Sequence, residues 1–286
     1  MRDVLSLQYE SMLMSRLPEP LRKAATALVS PPFNVVGERF GFRLAAPLSG
    51  YMIRGRNLPI TYLMGTYEPT VCRTILRVVQ PGSTCVDAGA HLGYFSLLLA
   101  TCVGEQGHVF AFEAHPANAL QVRTNAHING LQARVHVENM AISDGIQQAV
   151  TLFAGRQKSS SEWNIVGHDL ANRQTSGVLT IPATSLDAYF PEGSRLDFVK
   201  MDIEGAEARA LHGMRDILRR TRPLLLIEFH DDTNWESRHH LLNSDFRLLD
   251  LSTMRWIDSP HSSPRVYQCL AVPKERADQI YSALQL

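Results

Sequence analysis

Cysteine is scarce in this sequence, and an excess of charge of either sign is absent from it. Four cysteines, Cys72, Cys85, Cys102 and Cys269, are spread through 286 residues with no Cys-x-x-Cys pair. Disulfides therefore do not organise the chain, and thiols in mostly apolar runs read as reduced core residues. Lysine and arginine number 28 against 28 aspartates and glutamates. That balance lacks the basic stripe of a nucleic-acid binder and the polybasic patch of a membrane-surface protein, so small or neutral partners are expected and nucleic acid is not. No apolar run is long enough to span a bilayer, and Met1-Arg-Asp-Val-Leu-Ser6 contains no continuous apolar signal segment. Membrane insertion is not expected, and the cytoplasm is the default compartment. Internal repeats and low-complexity segments are also missing. Hydrophobic side chains make up 45% of the chain, enough to bury one large core beneath a decorated N-terminus.

The N-terminal part reads as an appendage, residues 1–63, on a main domain, residues 64–286. Within Val4–Leu28 the apolar spacing, interrupted by Pro18 and Pro20, predicts two short amphipathic helices that cap the main domain or support a homodimer. Short β-like runs broken by glycine and proline follow over Phe33–Tyr62. From Glu68 onward strand and helix alternate. A helix opens at Pro69 and stops at Pro81-Gly82, and strands are predicted from Thr84, at His108–Glu113 and at Arg134–Ile142, with a helix over Ala117–Asn129. Further strands are predicted at Gln148–Phe153, Leu179–Pro182, Leu196–Asp202 and Pro223–His230, with helices over Ala206–Leu218 and Trp235–Asn243. The closing runs Phe246–Leu251 and Tyr267–Val272 are joined by a polar stretch without a helix, so they pair antiparallel. An α/β, doubly wound, Rossmann-like sheet, mostly parallel with an antiparallel C-terminal pair, is the expected fold. It is the architecture of class I methyltransferases.

Thr84-Cys-Val-Asp-Ala-Gly-Ala-His-Leu-Gly-Tyr-Phe-Ser96 is the stretch on which the rest is organised: an apolar strand, a glycine turn and an apolar helix. Gly89 and Gly93 allow a tight turn and close approach of a ligand to bare backbone. A dinucleotide fingerprint would place glycine at His91 and Tyr94 as well, which disfavours an NAD-dependent oxidoreductase. Asp87 beside the turn suits a ligand that carries a cation, and S-adenosyl-L-methionine (SAM) is the natural candidate. Glu113 ends the next strand, where an acid can accept from both ribose hydroxyls. Asn139, Met140 and Ala141 end the third strand, where adenine would lie, although a plain core strand end explains Met140 and Ala141 nearly as well.

Lys200 with Asp202, and Glu228 with His230, lie two apart on neighbouring strands, so each pair shares a face. Ionic groups there either neutralise one another as a structural network or line the ligand crevice of an open α/β sheet. Metal ligation by Asp202, Glu204, Glu228 and His230 is the weaker alternative, because no fixed ligand spacing is present. Glu204 and Glu207 also suit a helix start. His239-His240, adjacent on one helix, read as solvated. Ser159-Ser-Ser161 with Trp163 reads either as a loop over a substrate or as ordinary surface.

The segments Gly65-Thr-Tyr-Glu68, Val86-Asp-Ala-Gly-Ala-His-Leu-Gly-Tyr-Phe-Ser96, Phe112-Glu113 followed by Pro116, Asn139-Met-Ala-Ile-Ser143 and Val199-Lys-Met-Asp-Ile-Glu-Gly-Ala-Glu207 resemble the FkbM-family methyltransferases. The resemblance runs from about Tyr67 to Pro273. It implies a SAM-dependent enzyme that methylates hydroxyls on small molecules, natural products or glycans. Asp87, Gly89, His91 and Gly93 would then hold the methionine end, Glu113 the ribose, and the Lys200/Asp202/Glu228/His230 crevice the acceptor. For the general base, the ordinary pKa of histidine favours His230, with Asp202 as its competitor. A SAM-binding module without catalysis is the alternative from another class.

Overall fold

The computed structural model describes residues 36–56, 58–155, 163–165, 175–229, 234–257, 259 and 268–285. The expected helices within Val4–Leu28, the run Ser159–Ser161 and His230 lie outside the described residues. The chain divides into two compact units between Tyr67 and Glu68.

In the smaller unit, Phe42–Arg43 (β1) and Met52–Ile53 (β2) pair antiparallel. A short helix, Ile60–Met64, ends at Gly65, whose left-handed φ of 67° lets the Thr66 amide return to the carbonyl of Thr61 at 3.0 Å. Residues 36–39 are helical. The extended reading that included Val36 is thereby corrected.

The larger unit holds an eight-stranded sheet. Its parallel part contains Thr84–Ala88 (β3), His108–Phe112 (β4) and Val135–Glu138 (β5) on one side, and Phe198–Met201 (β10) and Leu224–Glu228 (β11) on the other. Strands β3 and β10 are neighbours, so the order reverses between them. Ligands of open α/β sheets bind outside the carboxyl ends at such a reversal. Gln268–Pro273 (β14) then inserts antiparallel between β11 and Phe246–Asp250 (β12), and Arg255–Ile257 (β13) forms the edge. This mostly parallel sheet with its antiparallel C-terminal strands is the class I methyltransferase architecture expected from the sequence. Leu224, Leu225, Leu226 and Ile227 are all buried, as befits a strand covered on both faces.

Two expected elements are broken, and each break has a local cause. The predicted strand Arg134–Ile142 stops at Glu138 because Asn139 turns away, donating Nδ2 to the carbonyls of Glu113 and Ala114 at 2.9 Å each. Ala141–Ile142 (β6) instead joins a second sheet, parallel to Thr175–Thr184 (β9), which also pairs with Ala149–Gly155 (β7); Trp163–Ile165 (β8) lies beyond β7. The predicted helix Ala206–Leu218 divides into Glu207–His212 and Arg215–Arg220. Between them Gly213 packs so closely that an added Cβ would lie 2.1 Å from the carbonyl oxygen of Ser143. The second helix restarts on Asp187, whose carboxylate accepts from the amides of Asp216 and Ile217 at 3.1 and 2.9 Å.

Candidate active site

The carboxyl end of β3 runs directly into the glycine turn. The amides of Gly89 and Ala90 both donate to the carbonyl of Phe112, at 2.9 and 3.1 Å, which ties the turn to the end of β4. Gly89 has φ +82°, and a Cβ on it would lie 1.8 Å from the carbonyl oxygen of Asp202. The close approach that requires this glycine is therefore made by the chain's own backbone after β10. Gly93, at φ +90°, turns its bare side to Val122 on the helix Pro116–Ile128, with a built Cβ 3.2 Å from Val122 Cγ1. A side chain at Gly93 would therefore press on this helix.

Asp87 is fully buried at the end of this strand. Its Oδ2 accepts from the Ser96 hydroxyl at 2.6 Å, while Oδ1 has no hydrogen-bond partner among the described residues. Burial raises its pKa; the charge of Lys200 and the Ser96 hydroxyl oppose that shift in part. Lys200 stands opposite Asp87 across the β3–β10 ladder and is 3% exposed. Its Nζ lies 3.0 Å from Asp202 Oδ2 and 4.8 Å from the centre of the Phe95 ring. Burial alone would pull the lysine pKa down, but Asp202, Asp87 and Glu68 more than offset this, and the net shift is upward. Lys200 is a fixed cation among carboxylates.

The β10–β11 register pairs Lys200 with Leu226, so Glu228, two residues on, shares the face of Lys200 nearer the carboxyl edge. Gln268 Nε2 joins Glu228 Oε2 at 3.3 Å and Glu68 Oε2 at 3.4 Å. Glu207 is 2% exposed, and its Oε1 accepts from the amides of Gly205 and Ile203 at 3.2 and 3.4 Å, which holds the turn after Asp202. That adds a function to the helix-start role expected of it. Sequence reasoning did not name Ser96, Glu68 or Gln268 as site residues. The Ser96 hydroxyl was the legible one, a polar residue at the start of an apolar helix.

Glu113 is buried, with Oε2 accepting from the His91 amide at 2.7 Å and Oε1 from the His115 amide at 2.8 Å. It braces the glycine turn against the loop after β4. The Asn118 side chain bonds to the same carboxylate, which leaves about one acceptor site for a hydroxyl donor. Burial pushes its pKa up to about 7, with the amides of His115 and His91 opposing the shift. A carboxyl group whose pKa is higher in the folded state binds its proton more tightly there. Its contribution is complete below the unfolded value of 4.5 and lost as the pH rises towards 7. The unfolding free energy of the wild type, measured against that of Glu113→Gln, should therefore fall by about 3 kcal/mol across this interval. Urea titrations at several pH values read it; a difference that is flat or grows with pH contradicts the burial argument.

Met140 is half-buried against the core, and Ala141 is buried in β6. His239 is exposed as expected, but His240 is half-buried, edge-on to His212 at 5.3 Å, and burial lowers its pKa. The solvated reading of His240 is corrected. Among the described residues no group of three or more His, Cys, Asp or Glu is placed to hold a metal ion. None of the described helices is long and apolar enough to cross a membrane.

The family model described as the methyltransferase FkbM domain matches residues 87–250. Over 98 residues the chain is 35% identical to a protein-L-isoaspartate O-methyltransferase of Aeropyrum pernix, covering 34% of this chain and 36% of that protein. Among solved structures, methyltransferase FkbM from Methylobacillus flagellatus is 19% identical with a TM-score of 0.44, covering 74% of this chain and 52% of that one. A SAM-dependent O-methyltransferase from Thermotoga maritima is 14% identical with a TM-score of 0.42, covering 72% and 64%. The chain thus spans about a third of the curated relative and about half of the FkbM structure. The family match begins at Asp87 and takes in the glycine turn, Glu113, Lys200, Asp202 and Glu228, more than half of the sequence, and the chain belongs to the FkbM methyltransferase family.

Proposed function

We propose that this chain is a SAM-dependent methyltransferase whose acceptor is a hydroxyl on a small molecule, natural product or glycan. In this reading residues 64–286 form the catalytic domain, with residues 1–63 an appendage that also supports a homodimer. The observation that carries it is the cluster of buried Asp87 and Lys200 with half-buried Asp202, set against the glycine turn at the reversal of strand order. Among the described residues Asp87 keeps an oxygen that lacks a hydrogen-bond partner, which fits the cationic methionine end of SAM; Glu113, bonded by the His91 and His115 amides and by Asn118, keeps an acceptor site for a ribose hydroxyl. Gly89 and His91 shape the turn, and Asn139, Met140 and Ala141 border the adenine position. NAD is not favoured by a turn with histidine at the central glycine position.

Bound SAM supplies a methyl group on a positively charged sulfur, open to in-line attack by an oxygen. The protein's share of the rate is chiefly alignment, and the proton of the acceptor hydroxyl must be removed. In this proposal His230 takes that proton. Asp202, held by Lys200, and Glu228, held by Gln268, orient the acceptor.

Calorimetry with SAM, its demethylated product and NAD tests the cofactor. SAM and its product should bind and NAD should not, whereas tight NAD binding without SAM binding would overturn the reading. Glu113→Ala should weaken SAM binding by about 1.5–3 kcal/mol, the worth of hydrogen bonds to a charged group. Acceptors carrying sugar, polyketide and peptide hydroxyls are then screened by SAM consumption. With the best acceptor, His230→Ala should remove the acid limb of the pH–rate profile. If Asp202→Asn removes it instead, the two roles are exchanged.

A further inference from the structure

Away from the carboxyl edge, at the opposite end of β4, two histidines face each other on adjacent strands. Phe110 pairs with His136 in the β4–β5 register, and His108 lies two residues before Phe110, so all three side chains share one face. His108 Nδ1 and His136 Nε2 are 3.1 Å apart. His108 is exposed, and His136 is stacked on the Phe110 ring at 5.0 Å, which limits how far its imidazole can turn.

That separation has a specific chemical meaning. Two imidazole nitrogens bound to one ion at about 2.0–2.1 Å, with an angle between a right angle and the tetrahedral one, lie about 2.9–3.4 Å apart. The two rings already hold their nitrogens at the bite of a chelate. Without an ion, one nitrogen must carry a proton that it donates to the other. An ion would take the place of that shared proton from a position off the line between the two nitrogens, each imidazole turning to face it. We propose that His108 and His136 form a bidentate site for a divalent transition metal of the zinc or nickel type, with water completing the coordination. Glu138, next along this face of β5, has its Oε1 engaged by the Tyr189 hydroxyl at 2.8 Å, and its charge acts on His136. Strand β5 stands at the end of the sheet, and a bound ion would clip it to β4. Imidazole ligation selects such ions over magnesium.

The experiment uses the full chain and zinc ion alone, at pH 7.5 in a non-chelating buffer, with calorimetry and thermal unfolding as readouts. His136→Phe keeps a ring stacked on Phe110 and removes the ligand nitrogen, and His108→Ala changes an exposed side chain. Expected are zinc binding to the wild type, at least about tenfold weaker binding in each variant, and a zinc-dependent rise in melting temperature that neither variant shows. Excess magnesium should not compete. The proposal is overturned if the wild type binds zinc no better than the double variant, if only one histidine matters, or if magnesium competes. SAM binding, read in parallel, is independent of every one of these outcomes.

Discussion

Gly89→Ala is expected to leave the chain largely unfolded, although it adds a single methyl group. A Cβ at this position would lie 1.8 Å from the carbonyl oxygen of Asp202 and 2.9 Å from its carbonyl carbon. Neither side can yield cheaply. The Asp202 amide donates to the Ala88 carbonyl at 3.0 Å, its carboxylate holds Lys200, and Gly89 itself is tied to Phe112. The backbone at φ +82° adds the ordinary left-handed penalty of about 1–2 kcal/mol for an L-residue. Relieving the collision means separating the ends of β3 and β10, so the total should exceed about 4–5 kcal/mol. Gly82→Ala is the control: Gly82 has φ +78° and nothing within 4 Å of a built Cβ. It carries the dihedral cost alone. Chemical unfolding of both variants separates the terms, and equal losses would show that the contact with Asp202 does not constrain the fold.

The same contact marks where the sequence was readable and where it was not. The apolar runs of β3, β10 and β11 announced a parallel sheet because strands covered on both faces need little else. The polar connection after Phe246–Asp250 announced the antiparallel closure. Gly89 was legible as an obligatory glycine, but the group that approaches it was not, since Asp202 is distant in sequence and arrives only when β10 lies beside β3. Glu68 and Gln268 were illegible for the same reason. They lie 200 residues apart and meet because β14 inserts between β11 and β12. Lys200 and Asp202 were legible together because strand geometry puts positions two apart on one face. The C-terminal helix Ala277–Gln285 carried a signal that was passed over: Ala277, Ile280 and Leu284, all buried, are spaced for one helical face. The three-residue strand Arg255–Ile257 carried none, being too short for an alternation to show.

Lys200→Met is expected to cost about 3–5 kcal/mol of stability, the usual penalty for removing one partner of a buried charge cluster. Methionine matches the volume of the lysine stem and can pack on Phe95, so the loss measures charge more than packing. What remains is Asp87, fully buried and among the described residues bonded only at Oδ2, together with Asp202, which loses its 3.0 Å partner. The pH dependence identifies the cause. Burial already raises the Asp87 pKa, and removing the nearest cation raises it further. The penalty is therefore smallest at acid pH, where Asp87 is protonated in the folded and unfolded states alike, and grows as the pH rises through the carboxylate range. Asp87→Asn in the same chain removes the stranded charge and should restore much of the loss, so the double-mutant cycle should give a coupling well above the scatter of independent sites. If the two substitutions are additive and the Lys200→Met penalty does not change with pH, Lys200 is held by packing alone, and the electrostatic account of this crevice fails.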